Sequence, residues 1–260
     1  MPSPIYTPDN CKFAFQLNWI LSISWNQPVR EAFWLGDLSA ALEADRIRVL
    51  KHHFTKPGAS QFALSTMPDA SPQWIVDRVK GRLQYAVRSR WAAALKRNYH
   101  LHSIGSARRA EVERYVETQL DRYGLDEPIR RRFEVIQIKR PGVDLSEVQR
   151  TTRGLFIYCL HVVLETDGGW SEMRSQWLCR VGGMILKIGE AREHRLSRAG
   201  ILSDHLHLVL GCRLDVAPRD VAMCYMNNLA YLYGMTPLYR YSAYLGTIGE
   251  YDLGVLGPKP

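Results

Sequence analysis

The 260-residue chain passes twice through one succession of elements, and this internal repeat limits the folds open to it. In the first half, an apolar strand-like run at 13–24 precedes a helix around 38–45, a strand at 61–65, a long helix at 73–95 and a short strand at 98–104 that ends at Gly105. The second half offers a strand at 155–165, a helix at 171–187, a strand at 205–210, a helix at 220–232 and a short strand at 244–248 that ends at Gly249. Ala70-Ser71-Pro72 and Ala217-Pro218 each open a helix on a proline, a residue suited to the first helical turn. Pro72 and Pro218 lie 146 residues apart, and Ser103-Ile104-Gly105 precedes Thr247-Ile248-Gly249 by 144. So steady an offset argues for a duplicated unit, each copy packing helices on a sheet in an α/β or α+β layer. The units divide as 1–122 and 154–260. The charged stretch at 123–153, with Arg130-Arg131-Arg132 and Lys139-Arg140-Pro141-Gly142, reads as a linker with some local structure.

Composition narrows the classes of function. With 46% hydrophobic and 23% charged residues, the chain is neither disordered nor collagen-like. Its longest apolar stretches, 13–25 and 155–164, are interrupted by Gln16, Asn18 and His161 and fall short of the roughly 20 residues a membrane span needs. The start MPSPIYTPDN shows no basic segment followed by an apolar one, so the cytoplasm is the expected location. Five widely spaced cysteines without a C-x-x-C pair indicate neither disulfides nor a zinc knuckle, and all five are expected to be reduced core residues. A net charge of +8, from 34 Lys and Arg against 26 Asp and Glu, fits a polyanionic partner.

Two short segments carry chemistry. In His205-Leu206-His207-Leu208 the strand period places both imidazoles on one face and the leucines on the other. That pair suits either a metal ion or a half-buried strand whose polar face carries two histidines. In Arg114-Tyr115-Val116-Glu117-Thr118-Gln119, helical spacing puts Tyr115 and Gln119 on one face, as a nucleophile and a metal ligand or as the surface of an amphipathic helix. The remaining histidines read as structural: His100 and His102 as strand residues or at most DNA contacts, His52 and His53 as surface, and His194 in an exposed charged stretch.

In their order along the chain these segments resemble the HUH superfamily of single-strand DNA endonucleases, specifically the single-tyrosine transposases of the insertion-sequence TnpA type and their REP-associated relatives. The resemblance rests on His205-Leu206-His207 and Tyr115-Val116-Glu117-Thr118-Gln119, supported by Leu17-Asn18-Trp19, Ser71-Pro72, Arg78-Val79-Lys80-Gly81 and the run from Tyr99 to Gly105. It implies an α+β fold of two tandem ferredoxin-like or RRM-like units forming an intramolecular pseudo-dimer, monomeric rather than a homodimer. The departures are complementary. At the 146-residue offset the first unit has Ala59 and Gln61 where the second has His205 and His207. Conversely, the position ten past Gly249 is Lys259, whereas ten past Gly105 is Tyr115. One composite site is therefore expected, with Tyr115 of the first unit facing the histidines of the second.

The resemblance further implies that Tyr115 attacks a phosphodiester of single-stranded DNA, with hairpin, to leave a 5′-phosphotyrosine and a free 3′ hydroxyl. His205, His207 and Gln119 would hold Mg²⁺ or Mn²⁺. Attack by a 3′ hydroxyl on that linkage would rejoin DNA, in a prokaryotic-type, nucleoid-associated setting. Arg78, Lys80, Arg82, Arg88, Arg90 and Arg114, with Lys96, Arg97, Tyr85 and Trp91 nearby, form a candidate DNA-binding surface or a solvated helix face. Two rival expectations are an inactive, domesticated protein that binds single-stranded or hairpin DNA, and an unrelated metal-dependent hydrolase that uses water as its nucleophile.

Overall fold

The computed structural model describes residues 3–56, 58–168 and 171–250. It is an α+β fold of two mixed six-stranded sheets with six α-helices. In the first half, β1 (Lys12–Gln16) and β2 (Asn18–Trp25) precede α1 (Leu35–Ala44), β3 (Ile47–Lys56), β4 (Ala59–Thr66), α2 (Pro72–Val87) and β5 (Leu95–Ile104). Then come α3 (Arg109–Glu117), a 3₁₀ turn over Gln119–Arg122, α4 (Glu127–Ile136), β6 (Ile138–Lys139) and β7 (Gln149–Arg150). The second half holds β8 (Gly154–Ile157), β9 (Cys159–Glu165), α5 (Ser175–Ala191), β10 (Arg195–Ile201), β11 (His205–Gly211), α6 (Pro218–Leu232) and β12 (Ser242–Thr247).

The first sheet runs β3-β4-β2-β5-β8-β7 and the second runs β6-β10-β11-β9-β12-β1. The run β3-β4-β2-β5-β8 has its counterpart in β10-β11-β9-β12-β1, and each sheet has one parallel pair, β5 with β8 and β12 with β1. Register preserves the sequence offset: Gln61 lies opposite Ser22 on β2 as His207 lies opposite Val163 on β9. Alternation along β2 sends Trp19, Leu21, Ile23 and Trp25 under α1 and α2, and alternation along β11 sends Leu206, Leu208 and Leu210 under α5 and α6.

The expected strands at 13–24 and 155–165 are each divided between the two sheets. After Gln16 the chain passes through buried Leu17 and leaves the second sheet for the first; after Ile157 it passes through buried Tyr158 and makes the reverse switch. Trp19 and Tyr158 meet across the junction with ring centroids 5.2 Å apart, and one apolar core runs through both halves. The unit boundaries of the sequence are thus not the boundaries of the sheets. Residues 123–153 are also more than a linker, because they carry α4, β6 and β7 and bury Phe133 and Ile136.

At the junction two hydroxyls act reciprocally. Ser103 Oγ accepts from the Cys159 amide at 3.0 Å and donates to the Ile248 carbonyl at 2.9 Å. Thr247 Oγ1 accepts from the Asn18 amide at 2.8 Å and donates to the Ile104 carbonyl at 2.6 Å. Beside them the Gly105 amide donates to the Gly249 carbonyl.

Other expectations need correction. The helix expected at 73–95 stops at Val87, because the Gln84 amide donates to the Trp91 and Ala92 carbonyls and accepts from the Ala94 amide, which fixes a turn. The helix expected at 171–187 begins at Ser175, after Glu172 has been tied to the Ser203 carbonyl and Arg174. Of the cysteines, Cys179 is exposed and Cys224 half-buried, while Cys11, Cys159 and Cys212 are buried. Lys259 lies outside the described residues.

Two histidines expected at the surface are enclosed. His52 sits on β3 against Trp34, Phe54 and Phe62, and His194 is buried with Nδ1 3.1 Å from the Tyr225 hydroxyl. Burial, aided by the neighbouring Arg192 charge, pushes His194 down to about 4. Because its folded-state value is below the unfolded one, the unfolded chain binds the extra proton as pH falls from 6.5 towards 4, and stability is lost in that window. At pH 5 the loss from this residue is on the order of 2 kcal/mol. Urea unfolding at pH 7 and pH 5 is expected to show a larger drop for wild type than for His194→Gln, by about that amount.

Candidate functional site

Below the helices α5 and α6, the opposite face of the second sheet carries His161 on β9 and His205 and His207 on β11. The pairing of β9 with β11 makes His161 and His207 diagonal neighbours, with His161 Nε2 3.0 Å from His207 Nδ1 and the rings stacked at 5.2 Å. His205 lies 5.0 Å from His207 ring to ring, and its Nδ1 meets the Asp204 carboxylate at 2.7 Å. On β12, Tyr244 packs edge-on against His161 at 6.1 Å. Burial lowers His161 to about 4 and, together with the two neighbouring imidazoles, lowers His207 to about 3, so both are neutral bases at physiological pH.

The first half of the chain supplies what covers this face. Glu111 accepts from the Arg108 amide at 2.9 Å at the start of α3, and Val112 and Val116 pack on Val209, Cys159 and Ile248. An ion pair of Glu117 with Arg198 fastens the end of α3 to β10. Docked in this way, α3 sets the Tyr115 ring edge-on to His207 at 5.6 Å and to His161 at 6.4 Å, with the Arg122 guanidinium 4.5 Å from its ring centre. Tyr115 is 38% exposed, and its hydroxyl has no hydrogen-bond partner among the described residues.

Gln119 does not share a helix with Tyr115, because α3 ends at Glu117 and Gln119 begins the 3₁₀ turn. The turn buries Gln119 on Gly200, the register partner of His207, in space that a Cβ at Gly200 would fill. Its Nε2 donates to Gln137 Oε1 at 3.3 Å, and its Oε1 is buried without a partner among the described residues. His207 Nε2 also has no partner among the described residues. His205 Nε2 does have one, the Tyr123 hydroxyl at 2.9 Å. No cluster of three or more His, Cys, Asp or Glu side chains among the described residues is arranged to hold a metal ion. The candidate donor set is instead two imidazoles and an amide oxygen, with His205 Nε2 already engaged by Tyr123. The Asp204 contact orients His205 and the His161 contact orients His207, as outer partners do for metal-bound histidines, and the orphaned Gln119 oxygen fits such a set.

The expected basic surface is dispersed. On α2, Arg78 stacks on Trp74, Lys80 donates to the carbonyls of Lys96, Arg97 and Asn98, and Arg82 forms a two-pronged pair with Asp45. Arg88 lies over Tyr85 and Arg90 over Phe33. All five lie on α2 or just past its end, away from the strands that carry His161, His205 and His207, whereas Arg114 is exposed on α3 next to Tyr115 in sequence. Sequence reasoning missed His161, Asp204, Tyr123 and Tyr244. Of these only His161 left a trace, as the polar interruption of an apolar run.

No helix among the described residues is long and apolar enough to cross a membrane. Compared with known proteins, the chain matches no family model and shows no significant similarity to a curated protein.

Proposed function

We propose that the chain is a divalent-metal-dependent, single-strand DNA endonuclease and strand transferase derived from an HUH transposase, with one composite active site. The observation that carries this reading is the meeting of Tyr115, from the first half, with the His205 and His207 strand of the second. The order of elements and strands in each half supports a ferredoxin-like unit, and the reciprocal strand exchange supports a pseudo-dimer contained in one chain.

In this reading His205, His207 and Gln119 hold Mg²⁺ or Mn²⁺. All three are neutral donors, and burial keeps His207 unprotonated as a ligand must be. A bound divalent cation polarises the scissile phosphate and makes phosphorus more electrophilic. Tyr115 Oη attacks that phosphorus and gives its proton to solvent, the P–O3′ bond breaks, and the departing 3′ oxygen takes a proton from solvent to leave as a hydroxyl. Arg122, over the Tyr115 ring, offers positive charge to the phosphate oxygens. One such tyrosine holds one cleaved end, which suits a nickase or strand-transfer enzyme acting as a monomer. The Tyr123 contact with His205 Nε2 gives specific support to the rival, an inactive hairpin or single-strand DNA-binding protein, since it occupies a ligand atom.

The deciding experiment uses end-labelled, hairpin-bearing single-stranded DNA with Mn²⁺ and a denaturing gel. A protein–DNA adduct is expected with wild type and is expected to be absent with EDTA or in His207→Ala. DNA binding without any adduct would establish the rival reading.

A further inference from the structure

The predicted basic helix α2 spends its cations on neighbours, yet the chain carries a net +8. Much of the uncommitted charge gathers where the first half of β5 meets the β7–β8 turn of the first sheet. There the turn Thr151–Thr152–Arg153, between β7 and β8, overhangs Tyr99 with an open cavity on either side, of about 580 and 530 Å³. The first cavity is floored by Gln73, Asp77 and Lys80 of α2; both share Arg97, Tyr99, Thr151, Thr152 and Arg153, and the second adds Arg150. Arg97, Arg150 and Arg153 are exposed and have no ion-pair partner among the described residues, while Asp77 is the only carboxylate lining either cavity.

The turn itself is fixed. Thr151 Oγ1 accepts from the Gly154 amide at 2.9 Å, the Thr151 amide donates to the Gly154 carbonyl at 2.8 Å, and Gly154 packs flat on the Tyr99 ring. Tyr99 Oη in turn reaches Gln73 at 3.3 Å. The guanidinium groups therefore project from a rigid platform. At the counterpart position in the second sheet, the N-terminal segment closes the space: the Ile5 and Tyr6 amides donate to Asn227 Oδ1, and the Tyr6 ring packs at a tilt against Tyr241.

We infer that this groove binds the phosphodiester backbone of a DNA strand, with Arg97, Arg150 and Arg153 each taking one phosphate. Guanidinium forks match phosphate oxygens in two-pronged geometry, and two contiguous cavities accommodate an extended polyanion better than a compact metabolite. From Tyr99 to Gly105 along β5 is about 20 Å, and α3 with Tyr115 follows. The inference rests on the nucleic-acid reading above and assigns its anchoring contacts to the groove rather than to α2.

The test is fluorescence anisotropy of a labelled single-stranded oligonucleotide, and of the same length folded as a hairpin, over a salt series. The proteins are wild type, Arg97→Gln/Arg150→Gln/Arg153→Gln and Arg88→Gln/Arg90→Gln, with melting curves to check the fold. The groove variant is expected to bind at least tenfold more weakly, with its salt slope on the single strand reduced by about 2, as losing three phosphate contacts requires. The Arg88→Gln/Arg90→Gln variant is expected to stay within about twofold of wild type. A loss confined to the hairpin would assign the groove to the stem, and a loss on both to the strand itself. If wild type binds and the groove variant binds equally well with the same slope, the groove assignment is wrong while the nucleic-acid reading stands. If wild type binds neither DNA, both fall.

Discussion

Tyr115→Phe is expected to abolish the covalent DNA adduct, a fall of at least about 10³-fold, while leaving DNA binding and thermal stability near wild type. Three tyrosines approach the histidines: Tyr244 meets only His161, whereas Tyr115 packs on His207 and Tyr123 on His205, and the structure distinguishes the circumstances of these two. The Tyr123 hydroxyl is held by His205 Nε2 at 2.9 Å, and burial, with Asp204 and Tyr115 nearby, raises its pKa, which disfavours the phenolate. The Tyr115 hydroxyl is unpartnered among the described residues, its ring is fixed by His207, His161 and Arg122, and α3 is anchored by Val112, Val116 and the Glu117–Arg198 pair. A free, positioned hydroxyl is what nucleophilic attack requires. Tyr123→Phe is accordingly expected to retain the adduct. Both variants are checked on the same denaturing gel. An adduct lost only in Tyr123→Phe would transfer the nucleophile to that residue, and strand cleavage persisting in Tyr115→Phe without an adduct would favour a water-based hydrolase.

What was legible in the sequence was local. His205 and His207 share a face because strand periodicity demands it, and the leucines between them are buried as the same rule requires. The landmarks Ser103-Ile104-Gly105 and Thr247-Ile248-Gly249 were legible as a repeat because equivalent positions do equivalent work, each hydroxyl bridging the other half. Long-range pairing was not legible. Lys12 pairs with Ser242, and nothing in the run from Phe13 to Ser24 shows that its first residues join one sheet and the rest another. Strands β3 and β10 escaped notice because Arg48, Lys51, His52 and His53 in one, and Ser197, Arg198 and Gly200 in the other, break apolar alternation. Their burial comes from neighbours, β4 for one and β11 with β6 for the other. The same reason hid His161, whose role as a partner of His207 exists only once β9 lies beside β11.

The junction between the sheets makes a second large effect calculable. Gly105→Ala is expected to destabilise the protein by about 3 kcal/mol or more, which for a chain of this length is roughly a 10 °C fall in Tm. A methyl at Gly105 would penetrate the Thr247 carbonyl oxygen and come within 3.1 Å of Ile248 Cα. Both are backbone atoms, so no side chain can swing away to relieve the clash. Nor can the backbone yield freely, because Thr247 is tied through its hydroxyl to Asn18 and Ile104 while Ser103 is tied to Cys159 and Ile248. Separating the two strand ends would leave these buried groups unpaired, at about 1–3 kcal/mol for each. Gly81→Ala provides the contrast: it lies mid-helix in α2 with open space at its Cβ, and there alanine is expected to stabilise by up to about 1 kcal/mol. The junction also sets the site. Because α3 begins at Arg109, four residues beyond Gly105, any shift of the strand ends moves Tyr115 relative to His207. Gly105→Ala, assayed well below its lowered Tm, is therefore expected to form less adduct than its folded fraction accounts for, and an adduct yield that tracks the folded fraction alone would show that α3 docks independently of the junction.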